Sequence, residues 1–120
     1  MDLAPILAAM AQEYELAVAL IVGRDGLLVE GHCDNAGEDL ESIAAGTVRA
    51  LTDLERMSKM VRGGNLSRVR VFFDRYQLLI DPITEDDILV AGVASGERGE
   101  RLLDAFAAYR KPVQAALGSL

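Results

Sequence analysis

Between Leu40 and Val61, apolar residues occupy too much of a helix's circumference for a helix that covers only one neighbour. At about 3.6 residues per turn, Leu40, Ile43, Ala44, Thr47, Val48, Leu51, Leu54 and Val61 share one face, the pattern of a helix lying on a sheet. Gly46, Ala50, Met57 and Met60 form a second row beside it, and Arg49, Asp53, Arg56 and Lys59 keep only a narrow arc for water. One buried face needs an apolar stripe of roughly 100°, and this one covers about twice that. Gly46 and Ala50, four apart, permit close approach by another helix, and Met57 and Met60 adapt to its irregular surface. One face is therefore expected on the chain's own sheet and the other on a second copy or a partner. The alternative is a helix buried on both sides within one domain, for which 120 residues seldom supply enough elements.

That length predicts one domain spanning residues 1–120. A net charge of −7, without a basic stripe, argues against nucleic acid and anionic membrane surfaces as partners. The single cysteine, Cys33, excludes an internal disulfide and suits a reducing cytosol. The first residues lack the basic start of a signal peptide, and no apolar run reaches the roughly 18 residues needed to span a bilayer. A cytoplasmic location without membrane insertion is expected.

The remaining elements follow in order. Asp2 is placed to cap a first helix, with Pro5 in its opening turn and Leu3, Ile6, Leu7, Met10 and Tyr14 as its buried stripe. The apolar run Val18–Val22, the turn Arg24-Asp25-Gly26 and the return run Leu27–Glu30 predict a hairpin, with Gly26 at positive φ. A polar loop, Cys33 to Gly37, leads into the long helix, which has Asp39 near its positive end and Lys59 and Arg62 near its negative end. Gly63-Gly64-Asn65 is expected to stop it. Strands are then predicted from Leu66 to Phe73, Tyr76 to Ile83 and Ile88 to Ala94. In the first of these, Val69, Val71 and Phe73 face one side and Arg68, Arg70 and Phe72 the other. Ser95-Gly96 is expected to open a last helix carrying Leu102, Phe106, Tyr109, Val113 and Leu117, kinked or weakened at Pro112.

The runs beginning at Val18 and Ile88 are almost free of polar residues, so both are expected at the centre of a sheet covered on two faces. The predicted fold is α+β: a five-stranded antiparallel sheet in the order 2-1-5-4-3, with the long helix on one face and the first and last helices on the other. The strand with Arg68 and Arg70 then falls at an edge. Charges there either defend the edge or accompany its pairing with a symmetry mate.

No residue set predicts chemistry of its own. His32 and Cys33 are adjacent, but a zinc site needs three or four ligands. The lone histidine has no nucleophile elbow to serve, and no GxxxxGK[ST] phosphate loop occurs. Gly63-Gly64 and Ser95-Gly96-Glu97-Arg98-Gly99 read as a helix stop and a helix start rather than phosphate cradles. Glu85-Asp86-Asp87 lacks the spaced ligands of a calcium loop and reads as a solvated turn. No cofactor and no metal are predicted, and the chain alone is expected neither to bind nor to hydrolyse nucleotide.

The hairpin Leu20-Ile21-Val22-Gly23-Arg24-Asp25-Gly26-Leu27-Leu28-Val29, the helix start Ile43-Ala44-Ala45-Gly46, Leu54-Glu55-Arg56 and Tyr76-Gln77-Leu78-Leu79-Ile80 occur in an order that resembles the roadblock family. That family includes dynein light-chain roadblock proteins and the bacterial gliding-motility B type. The resemblance implies a homodimer with long helices side by side and edge strands joined, and a small Ras-like GTPase as partner, for which the chain is scaffold or activator. On this reading Gly46, Ala50, Met57, Met60, Arg68 and Arg70 belong to the dimer interface. Ala45, Arg49, Thr52 and Arg56, recurring along the outer side of the helix, face the partner, although a merely solvated face also accounts for the two arginines. A profilin-like or PAS-like sensory module that binds a small ligand is the competing expectation, and it needs a cavity between sheet and helix lined by polar groups.

Overall fold

A computed structural model describes residues 2–34, 38–96 and 99–118. Part of the expected loop before the long helix (35–37) and two residues of the expected last-helix opening, Glu97 and Arg98, lie outside the described residues. The elements are α1 (Leu3–Tyr14), β1 (Val18–Gly23), β2 (Leu28–Cys33), α2 (Leu40–Met60), β3 (Val69–Phe72), β4 (Tyr76–Pro82), β5 (Asp87–Ala94) and α3 (Gly99–Gly118). The strands form one sheet in the order β2-β1-β5-β4-β3, and every neighbouring pair is antiparallel. The predicted architecture is the observed one.

The sheet is built outward from β1 and β5, which pair from Val18↔Gly92 to Gly23↔Asp87 and are covered on both faces. Alternation divides their side chains between two cores. Ala19, Ile21, Leu89, Ala91 and Val93 meet Leu7 and Met10 of α1 and Leu102, Phe106 and Val113 of α3. Leu20, Val22, Ile88 and Val90 meet Ala44 and Leu51 of α2. Two hairpin turns complete the register. Gly26 takes φ 87° after Asp25, whose Oδ1 accepts from the Leu27 N–H at 3.0 Å. In the acidic turn, the Thr84 hydroxyl accepts the N–H groups of Asp86 and Asp87 and donates to the Asp87 carboxylate at 2.9 Å.

Several local expectations are corrected. Asp2 occupies the N-cap position of α1 but makes no side-chain cap bond. The last helix runs through Pro112, where a kink or weakening is expected, and continues to Gly118; the ring removes one N–H from a helix whose Phe106, Val113 and Ala116 are anchored in the core. α2 ends at Met60, and Val61, expected against the sheet, is 70% exposed because the chain has already left helical geometry. Arg62, not Gly63, takes the first left-handed conformation, at φ 56°, with Gly64 following at 80°. β3 starts at Val69 rather than Leu66, so Arg68 precedes the strand, and α3 starts at Gly99 rather than Ser95.

Candidate partner-docking surface

α2 begins with a well-made cap. Asp39 accepts the Ser42 N–H at 3.1 Å and the Ser42 hydroxyl at 2.7 Å, and these bonds hold its carboxyl below the ordinary value. From there the helix runs over β1 and β2 rather than over the middle of the sheet. Its displacement leaves an apolar trough along the other half of that face, between α2 and the β3–β4 hairpin. The trough is lined by Ile43, Gly46, Thr47 and Ala50 from the helix and by Val71, Phe73, Leu78 and Ile80 from the strands. Thr47, its one hydroxyl, donates to the Ile43 carbonyl at 2.7 Å, so the trough offers a ligand almost no hydrogen bonding. Phe73 stands at its rim with 56% exposure.

The second apolar row expected on α2 is thus unpartnered among the described residues. Gly46 and Ala50 are exposed on the trough wall, and a Cβ added at Gly46 would meet nothing within 4 Å. Met57 and Met60 are exposed as well, the latter at 81%. Of the residues expected to face a partner, Ala45 is half-buried, while Arg49, Thr52 and Arg56 are exposed. Thr52 donates to the Val48 carbonyl at 2.8 Å, and Arg56 lies 3.7 Å from Asp53 in an open, weak pair.

Arg68 and Arg70 are held from within. Arg68 Nη2 reaches Asp81 Oδ2 at 2.9 Å, and Arg110 of α3 donates to the same oxygen. Arg70 Nη2 donates to Gln77 Oε1 at 3.2 Å and to the Gly99 carbonyl at 3.1 Å, while its guanidinium lies 4.8 Å from the Phe72 ring centre. Both arginines therefore pin α3 to the β3 edge, on the face opposite the trough. Asp81 and Arg110 escaped the sequence reading, and Phe73 was placed on the side of Val69 and Val71 without a role. The available signal was Asp81 itself, a carboxylate inside the apolar strand Leu78-Leu79-Ile80-Asp81, where a buried charge demands a partner.

His32 Nε2 lies 3.7 Å from Asp34, and Cys33 is a free thiol. No group of three or more potential metal ligands occurs among the described residues. At the end of the trough, Tyr76 stands beside Ile43, Leu78 and Glu38, and its buried hydroxyl has no hydrogen-bond partner among the described residues. Burial, with the charges of Glu38 and Asp34, pushes it up to about 12. Its folded value lies above the ordinary 10, so the unfolded chain loses this proton first as pH rises. Stability from neutral Tyr76 should therefore be complete below pH 10 and lost between about 10 and 12. Alkaline titration of phenolate absorbance should show Tyr76 ionising last or together with unfolding, and a tyrosine set that ionises fully at the ordinary value in the native state contradicts this.

The described residues thus form a sheet covered by two helices on one face and incompletely by one helix on the other. The chain belongs to the Roadblock/LC7 domain family, whose sequence profile matches residues 4–92. Its fold is similar to that of MglB with tetrameric arrangement, at a TM-score of 0.85 and 14% identity over 97% of this chain and 88% of that one. Myxococcus xanthus MglB gives 0.75 and 15%, covering 96% and 99%. A Roadblock/LC7 domain from Streptomyces avermitilis gives 0.76 and 21%, covering 98% of each chain. No curated protein matches the sequence significantly. None of the described helices is long and apolar enough to cross a membrane.

Proposed function

We propose that residues 1–120 act as one roadblock domain, a cytoplasmic non-catalytic homodimer that binds a small Ras-like GTPase as regulator or adaptor. The observation that carries the dimer is the open trough beside Gly46 and Ala50. Its walls are apolar and wide enough at Gly46 for close helix approach, and a second α2 laid along it would cover both walls at once. Solved structures of similar fold include an MglB with tetrameric arrangement, which accords with self-association. The GTPase assignment follows from family membership and from the outer side of α2, where exposed Arg49 and Arg56 flank small residues and supply orientation around a flat centre. Stimulation of hydrolysis, where it occurs, acts through the partner's own groups or an arginine supplied in trans.

Light scattering across a dilution series should give the mass of two chains at micromolar concentration. Ala50→Arg, which puts a cation into the trough wall, should raise the dimer dissociation constant about 100-fold or more. Ala45→Arg and Arg49→Glu should each abolish capture of a purified Ras-like GTPase loaded with a GTP analogue, with unchanged circular dichroism. A single-chain mass at every concentration would refute the dimer. Undiminished capture by both outer-face variants would move the partner site off α2.

A further inference from the structure

On the face opposite the trough, the seam between β3 and α3 carries more positive charge than the chain neutralises. Arg68, Arg70 and Phe72 alternate onto this face, and the two arginines lean apart along it. Arg68 reaches Asp81 Oδ2 at 2.9 Å, and Arg110 of α3 donates to the same oxygen, so two guanidiniums share one carboxylate. Arg70 reaches Gln77 Oε1 at 3.2 Å and the Gly99 carbonyl at 3.1 Å, both of them neutral acceptors. Three cations thus stand along the seam with one anion. No other carboxylate among the described residues pairs with them.

Neither positive centre is sealed. The Arg68 and Arg110 side chains are 39% and 38% exposed, and each spends one of its five N–H donors on Asp81. Arg70 is half-buried, with its Nε lacking a partner among the described residues. A guanidinium partly withdrawn from water and bonded only to neutral acceptors gains more from a carboxylate than a fully solvated cation does. On a chain of net charge −7, this local surplus also orients an acidic partner toward the seam.

The spacing of the centres sets the shape of the ligand. Asp81 and Gln77 lie four residues apart on β4, so the centres are anchored roughly 13 Å apart. One phosphate group cannot serve both, and the single surplus charge at Arg68 and Arg110 matches one carboxylate. An extended segment covers the distance in four residues at about 3.3 Å each, and its first, third and fifth side chains point to one side. A helix needs about nine residues for the same span. Between the centres lies the half-buried Leu103, at helical spacing from Gly99 and Arg110 on one flank of α3. We propose that this seam docks an extended acidic segment of a partner protein. One carboxylate meets Arg68 and Arg110, a second, four residues along, meets Arg70, and an apolar side chain midway covers Leu103. This docking goes beyond the homodimer and the GTPase partner, and uses neither the trough nor the outer side of α2.

A fluorescein-labelled peptide, Gly-Glu-Ser-Val-Ser-Glu-Gly, titrated with the full chain at low salt and followed by anisotropy, tests this. It should bind saturably, and Arg70→Gln and Arg110→Gln should each weaken it about fivefold with unchanged circular dichroism. Arg70→Gln leaves Asp81 with both of its arginines, so it decides the matter even where Arg110→Gln fails to fold. Arg62→Gln, which removes the same charge just beyond α2, should leave the affinity within about twofold. Moving the two glutamates to adjacent positions should cost about fivefold, because only one carboxylate then reaches its centre. Absence of saturable binding, equal losses in Arg62→Gln and Arg70→Gln, or equal affinity for the two peptides overturns the proposal. Inorganic phosphate that binds the chain more tightly than the peptide does, and is lost in Arg110→Gln, overturns it as well and assigns these arginines to a phosphate ligand.

Discussion

Asp81→Asn should destabilise the fold by about 3 kcal/mol, seen as a shift of the urea midpoint with unchanged slope. The side chain is fully buried, and its Oδ2 receives both Arg68, at 2.9 Å, and Arg110. Its Oδ1 has no partner among the described residues, so the carboxylate is stabilised there through one oxygen and by two charges. Asparagine keeps the shape and removes the charge, leaving two guanidiniums facing each other. Breaking a buried pair from one side costs roughly 3–5 kcal/mol. The partial exposure of both arginines brings the effect to the low end, since water reaches the cations once the anion is gone. The loss should also loosen α3 selectively, because Arg110 belongs to that helix and Arg68 to the sheet edge. Hydrogen exchange should accelerate in α3 before β1 and β5. A loss below about 1 kcal/mol would mean that the cluster is only a surface network.

The architecture was readable because each element carries its own periodicity and the chain punctuates itself. The unbroken apolar runs of β1 and β5 can only be central, and the rest of the strand order follows from joining each to its hairpin partner. The doubly apolar helix was equally readable, and the exposed Gly46, Ala50, Met57 and Met60 are where that periodicity put them.

What was not legible depends on distance in sequence or on rigid-body placement. Nothing in a sequence pattern links Asp81 with Arg110, 29 positions away, since the pair exists only because α3 crosses behind β4. For the same reason Arg68 and Arg70 read only as edge charges, defending the edge or accompanying its pairing, although both are folded back onto Asp81, Gln77 and Gly99. The sideways displacement of α2 toward β1 and β2 is a rigid-body placement that no periodicity encodes, and it moves the open apolar surface from the helix alone to a trough shared with β3 and β4. Val61 shows the limit of periodicity: it continues the helical pattern by one residue after the backbone has turned away.

Gly92→Ala should cost about 2–3 kcal/mol, out of proportion to one methyl group. Gly92 sits in the central strand β5 opposite Val18 on one side and Leu78 on the other, and the Tyr76 ring lies directly over it. A Cβ there would be 2.5 Å from Tyr76 Cε1 and 2.6 Å from its hydroxyl oxygen, distances that require the ring to move. The backbone cannot yield, because Val18 and Leu78 hold both sides of the strand. The ring's free direction is toward Ile43, Leu78 and Glu38 at the end of the trough. The substitution should therefore act twice, lowering stability and weakening self-association as the displaced ring obstructs the trough. Tyr76→Ala in the Gly92→Ala background should restore dimer affinity to within about threefold and recover part of the stability, since removing the ring removes the clash. If Gly92→Ala alone leaves both the urea midpoint and the dimer dissociation constant unchanged, Tyr76 is not seated on that glycine.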